Sequence, residues 1–105
     1  MVNEDGKDFK SWDTEDDSVY QLRLFVAGTS SLSVRAISNL KIILLEHLKG
    51  KYELEVIDIH QQPLLALNED ITAVPVLIKK FPAPNRKLIG DMSNTAKVLR
   101  GLGIQ

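Results

Sequence analysis

The sequence predicts an α/β domain in which a β-α-β unit is followed by α-β-β-α, and three observations lead there. Residues 20–27 alternate apolar and polar side chains, then run through a loop of small residues into a long helical pattern that stops near Gly50. A second alternating stretch occupies residues 51–59. Beyond residue 60 the apolar segments shorten and four prolines punctuate them, the pattern of a short helix, a hairpin and a last helix.

In the first stretch Tyr20, Leu22, Leu24 and Val26 alternate with Gln21 and Arg23, while Phe25 and Ala27 carry the apolar character to the second face. A strand apolar on both faces belongs in a sheet interior. Gly28, Thr29, Ser30 and Ser31 break the pattern. Ser31 or Ser33 is placed to accept from the free N–H groups of the next turn as an N-cap. Val34, Ile37, Leu40, Ile43, Leu44 and Leu48 then recur at helical spacing, with Gly50 as terminator. In the second strand Tyr52, Leu54 and Val56 alternate with Glu53 and Glu55, and the intervening helix permits a parallel, right-handed crossover.

Pro63 suits the first position of a short helix reaching about Asn68. Residues 71–81 are rich in β-branched side chains, but Pro75 lacks the ladder donor, so the strand is expected to start at Val76. Residues 82–85 are turn material, and residues 86–90 return as the antiparallel partner. Asp91 and Asn94 offer caps for a final helix of about residues 95–102, with Val98, Leu99 and Leu102 inward. Gly101 and Gly103 are expected to weaken its end by about 1 kcal/mol each relative to alanine. This order is the thioredoxin-like arrangement, a three-layer sandwich. In thioredoxins the loop after the first strand carries Cys-x-x-Cys; here it offers Thr29, Ser30, Ser31 and Leu32, in a chain with no cysteine. Thiol–disulfide chemistry needs a thiolate and a resolving thiol, so a redox function is excluded.

A length of 105 residues fits one domain, and a 44% apolar fraction is ordinary for a globular chain. No apolar run approaches the ~20 residues of a membrane span, and the acidic start is unlike a signal peptide, so a cytoplasmic setting is expected. The net charge of −1 conceals an asymmetry. Residues 1–18 carry seven acids against two lysines, and the rest carries eleven bases against seven acids. The reading is a flexible acidic leader, 1–18, ahead of a mildly basic domain, 19–105. The sharper version is that the leader screens a basic surface, or that Phe9 and Trp12 dock it on a neighbour.

Four segments then resemble the KaiB family of circadian clock proteins, over about residues 20–104: FVAGTSSLSVRAI at 25–37, LEVIDI at 54–59, AVPVL at 73–77 and LIGDMSNTAKVL at 88–99. The resemblance implies a non-catalytic clock or signalling adaptor, without cofactor, that works through protein contacts. The expected partner is the ATPase KaiC. Family members switch between a tetrameric ground state with a differently wound second half (βαββααβ) and a thioredoxin-like monomer that binds KaiC. The bound form displaces a related sensor domain of a histidine kinase and helps sequester KaiA. A homo-oligomer, dimer or tetramer, is therefore also expected. Two departures bear on these contacts. Gln61-Gln62-Pro63 replaces a lysine-containing segment, and Gly103 stands where relatives have Asp, two residues before the end instead of before a longer tail. They imply that this member sits mainly in the thioredoxin-like fold. The alternative is a stand-alone thioredoxin-like stress-response protein that has lost KaiC.

Candidate partner-binding residues follow from the same segments. Arg35 matches the family's S-V-R-A arginine, and Arg86 and Lys87 its basic pair before I-G-D. The plain readings are a solvated helix arginine and a charged edge strand. Gly28, Pro63, Pro75, Gly101 and Gly103 are candidate structural or switch positions, Pro75 resembling the cis-proline beside the thioredoxin active site. Asp58, at a strand end, suits a cap or a lysine pair. His47 and His60 lack metal-ligand spacing, so no metal is expected. The cluster Lys79, Lys80, Arg86 and Lys87, with Phe81 alone beside it, is too poor in aromatics for single-stranded nucleic acid.

Overall fold

β1 (Tyr20–Val26) lies inside a four-stranded sheet, as its two apolar faces require. The computed structural model describes residues 19–104, so the leader's expected flexibility and the docking of Phe9 and Trp12 lie outside the described residues. α1 (Ser31–His47), β2 (Tyr52–Asp58), α2 (Pro63–Asn68), β3 (Val76–Phe81), β4 (Arg86–Ile89) and α3 (Thr95–Leu102) follow in the expected order. The sheet order is β2-β1-β3-β4. β1 and β2 pair in parallel from Tyr20↔Tyr52 to Val26↔Asp58. β3 runs antiparallel to β1 and to β4, with a register shift between Gln21 and Leu22.

Alternation along β1 divides the core. Leu22, Leu24 and Val26 join Ala36, Leu40, Ile43 and Leu44 of α1 and Val98 and Leu102 of α3. Phe25 points the other way, to Ile57, Val76 and Ile78, under Leu65 and Ala66 of α2. The result is the thioredoxin-like sandwich, with α1 and α3 on one face and α2 on the other.

Three local readings need correction. The N-cap of α1 is neither Ser31 nor Ser33 but Ser30, whose hydroxyl accepts the Ser33 N–H at 3.2 Å. The helix starts early enough that Ser31 is already its first residue, and Ser33 supplies the orphan donor. Gly103 does not weaken α3. It lies just past the helix at φ +79°, where its N–H donates to the Leu99 and Arg100 carbonyls, the left-handed cap that glycine favours. Gly101 is inside α3, but a Cβ there would stand 2.6 Å from Leu88 Cδ1, so close packing against β4 sets its identity. Pro63 does open α2, and Pro75 is buried immediately before β3, with a cis Val74–Pro75 bond and a carbonyl that accepts from Gly90.

Candidate partner-binding surface

The loop between β1 and α1 is the natural place to look for chemistry, because a parallel sheet opens there and a helix begins. Two of its hydroxyls, those of Ser30 and Ser33, are engaged in building the turn. Ser30 Oγ donates to Ser33 Oγ at 2.9 Å while capping the helix, and the buried Ser33 hydroxyl accepts the Ala27 N–H at 3.0 Å. Asp58, at the end of β2, braces the loop from the side. Its Oδ1 accepts the Gly28 N–H at 3.3 Å and the His60 N–H at 2.9 Å, a turn-capping role and not a lysine pair. Gly28, at φ +56°, takes the left-handed conformation this turn requires.

Arg35 leaves the first turns of α1 with its side chain largely exposed and its Nε 3.6 Å from Asp91 Oδ2. Asp91 follows the left-handed Gly90 at the end of β4, and its carbonyl accepts from Asn39 Nδ2 at 2.9 Å. Its carboxylate also accepts the Ser93 N–H at 3.1 Å. Hydrogen bonding from the Ser93 side chain, then from its N–H, and next the Arg35 guanidinium hold the Asp91 carboxyl below its ordinary pKa. Two sequence-distant segments, S-V-R-A and I-G-D, therefore meet in one solvent-facing cluster. Sequence reading named Arg35 but missed Asp91 and Asn39, although both lie in or beside the quoted segments.

Arg86 and Lys87 are not brought to this cluster, nor to each other. Adjacent strand residues point to opposite faces. Arg86 sits opposite Lys79 on the α3 side, whereas Lys87 sits opposite Ile78 on the α2 side and donates to the Glu69 carbonyl at 2.9 Å. Sequence reading also missed Glu69, just past α2. Its carboxylate meets Lys80 Nζ at 2.5 Å and Arg23 Nη1 at 3.4 Å, and Arg23 Nε reaches Glu55 at 3.2 Å. Periodicity offers no signal for such a hub, since its partners come from three strands. Lys79, grouped in sequence with Lys80, Arg86 and Lys87, is only 4% exposed, its Nζ 3.5 Å from the Leu102 carbonyl. Among the described residues no helix is long and apolar enough to cross a membrane, and no three ligating side chains are grouped for a metal.

Against known proteins, residues 23–104 match the KaiB domain. The chain is 49% identical over 85 residues to the circadian clock oscillator protein KaiB of Microcystis aeruginosa, covering 81% of this chain and 82% of that protein. With the KaiB of a Picosynechococcus species the identity is 51% over the same shares. Among solved structures, the N-terminal domain of Synechococcus elongatus SasA superposes with a TM-score of 0.68 at 26% identity, covering 84% of this chain and 87% of that domain. Mitochondrial thioredoxin 3 of Saccharomyces cerevisiae, at 16% identity, reaches 0.67 over 82% of this chain and 78% of its own, a likeness of fold alone. With its match running from β1 through α3 at close to half identity, the chain belongs to the KaiB family.

Proposed function

We propose that this protein is a cytoplasmic circadian clock component that acts as a non-catalytic adaptor, docking on a KaiC-type ATPase through the surface around Arg35 and Asp91. The observation that carries the reading is the convergence of two family segments in that exposed cluster. Arg35 is not needed by the core, yet it is held beside an aspartate from the far end of the sheet. A preset guanidinium loses less conformational freedom on docking than a free one and suits a carboxylate-bearing partner. The clock role is supported by relatives named circadian clock oscillator proteins. The adaptor role is supported by a β1–α1 loop in which the Ser30 and Ser33 hydroxyls are spent on building the turn and by a chain without thiols. The likeness to the SasA N-terminal domain supports a place in a histidine-kinase pathway in which the two scaffolds compete for one partner. Arg86 and Lys87, on opposite faces, contribute separately, and a second winding of the chain after residue 60 and a homo-oligomeric form belong to the same reading.

Binding to the KaiC-type ATPase of the same organism, measured by interferometry with ATP present, tests it. The wild-type chain should bind, and Arg35→Ala should weaken binding about tenfold, as for loss of a charged interface anchor. No binding by a folded wild-type chain, or an unchanged affinity for Arg35→Ala, would overturn the reading.

A further inference from the structure

The sheet has two edges, β2 and β4, and they are guarded differently. The Gly90 N–H donates to the Pro75 carbonyl at 3.0 Å, and β4 keeps one antiparallel register with β3 from Val76↔Ile89 to Lys79↔Arg86. Bonding alternates along such a ladder, so Arg86 and Leu88 turn their backbone groups to β3, whereas Lys87 and Ile89 turn theirs outward. Among the described residues no strand lies beyond β4 to take them. A free edge accepts another chain unless a bulge, a proline or an outward charge blunts it. β4 has no register shift and no proline. Its lysine is turned onto its own chain, Lys87 Nζ lying 2.9 Å from the Glu69 carbonyl, and Ile89 is left 59% exposed. On β2, by contrast, Glu53 and Glu55 share one face. Two copies of β2 paired at their centres would set Glu53 against Glu55, or Glu55 against itself, and like charges directly opposite are destabilising even with Arg23 on Glu55.

We propose that β4 is a self-complementary edge on which a second copy of this chain adds its own β4, antiparallel, about a two-fold axis at Leu88. In that register Lys87 of each copy stands opposite Ile89 of the other. These are the residues whose N–H and C=O groups face outward, so each pair closes both of its backbone bonds. A shift of one residue would set inward-turned groups against outward ones and lose them. On the α3 face Leu88 meets Leu88; on the α2 face the Lys87 stem covers the exposed Ile89. Charge selects the same direction. The strand opens on Arg86 and is followed by Asp91, so antiparallel pairing brings Arg86 beside Gly90 of the second copy, next to its Asp91, while in-register parallel pairing would set Arg86 against Arg86. Within its own chain Arg86 faces another base, Lys79, and the second copy's carboxylate relieves that repulsion. Asp91 already meets Arg35, yet a carboxylate accepts from more than one donor. An edge of four residues is small, and interfaces under about 1,200 Å² are weak and exchanging, so the dimer forms with concentration. The inference rests on the homo-oligomeric form proposed above and names its interface, with the thioredoxin-like winding kept in both copies.

Sedimentation velocity of the full-length chain from micromolar to millimolar concentration, with amide shifts followed over the same dilution, tests it. The expected result is exchange between monomer and dimer that stops at the dimer, with the Lys87 and Ile89 amides moving most and those in the middle of α1 still. Ile89→Lys sets a lysine opposite Lys87 of the other copy at both ends of the two-fold and should weaken association about tenfold or more. Leu64→Lys, at a 71% exposed position on α2, should leave it unchanged. Both substitutions are at exposed positions, so both variants are expected to fold. A chain that stays monomeric at millimolar concentration, shifts that fall on α1 instead, or equal losses in the two variants would overturn the proposal. So would growth past the dimer, which would place β4 on the acidic β2 edge of the next copy. Neither variant alters Arg35 or Asp91, so a failed dimer beside intact binding to the KaiC-type ATPase sinks this interface alone.

Discussion

The two faces of the sheet are covered by different kinds of force. On one face α1 buries Ser33, Ala36, Leu40, Ile43 and Leu44 and, with α3, forms the larger core cluster. Each fully buried leucine there contributes about 1.5–3 kcal/mol. On the other face α2 buries no residue outright. Leu65 and Ala66 pack partly on Phe25, Ile57, Val76 and Ile78, while Leu64 and Leu67 remain about 70% exposed. What anchors the end of α2 is Glu69, which gathers Arg23 from β1, Lys80 from β3 and, through its carbonyl, Lys87 from β4. A six-residue helix is too short to stand alone and too short to bury a full stripe. The comparison teaches that apolar burial holds one face, whereas charges supplement a small core on the other, so the two should respond differently to truncation and to salt.

Truncation gives the largest expected effect. Leu44→Ala removes a side chain with no exposure from the α1 face and should cost about 3 kcal/mol in urea unfolding. Leu67→Ala, on α2, should stay within about 0.5 kcal/mol. Comparable costs at the two sites would break the contrast.

Gly101→Ala is next and sets packing against propensity. Helix propensity alone predicts a gain of about 1 kcal/mol. A Cβ, however, would meet Leu88 Cδ1, Cδ2 and Cγ at 2.6, 2.7 and 2.9 Å, so Leu88 must move as a unit. Overpacking of this kind should turn the gain into a loss of about 1–2 kcal/mol. A stabilised Gly101→Ala would mean that the α3–β4 contact yields easily.

Glu69→Gln sharpens the electrostatic half. The Glu69 side chain is 18% exposed and its bonds to Lys80 and Arg23 are partly shielded, so the loss should be about 1 kcal/mol at low salt and shrink in about 1 M NaCl. Amide exchange should quicken in α2 and leave α1 unchanged. A loss independent of salt would assign Glu69 a packing role instead.

How far these features could be read in advance follows the same division. The β1–α1–β2 half was legible because its apolar spacings are long and regular, and the bounds of α2, β3 and α3 were legible because Pro63, Pro75 and Asn94 mark their starts. The cap shifted by one residue because a run of serines offers several equivalent acceptors, and only the backbone selects Ser30. Gly103 was misread because propensity scales describe helix interiors, while this glycine sits just beyond one. The Arg35–Asp91 contact and the Glu69 hub were not legible, since both are made by residues brought together across the sheet. The splitting of Arg86 from Lys87 was foreseeable, because strand alternation alone dictates it.

Lys79 offers the smallest effect and tests the one charge buried on the apolar face among the described residues. Burial lowers its ammonium's pKa from the ordinary lysine value, and Arg86 across the ladder pushes in the same direction. A lysine whose folded pKa lies below its unfolded one binds fewer protons when folded within that window. Stability therefore rises as pH climbs from the lowered value toward the unfolded value of about 10.4. Lys79→Met keeps the volume, removes the charge and loses only a long 3.5 Å bond to the Leu102 carbonyl. It should stabilise the protein by about 0.5–1 kcal/mol at pH 7, with the advantage fading toward pH 10. Urea unfolding of both chains across that range reads the difference. A variant less stable at pH 7 would mean that the ammonium's hold on the end of α3 outweighs its desolvation, making this face, too, partly electrostatic.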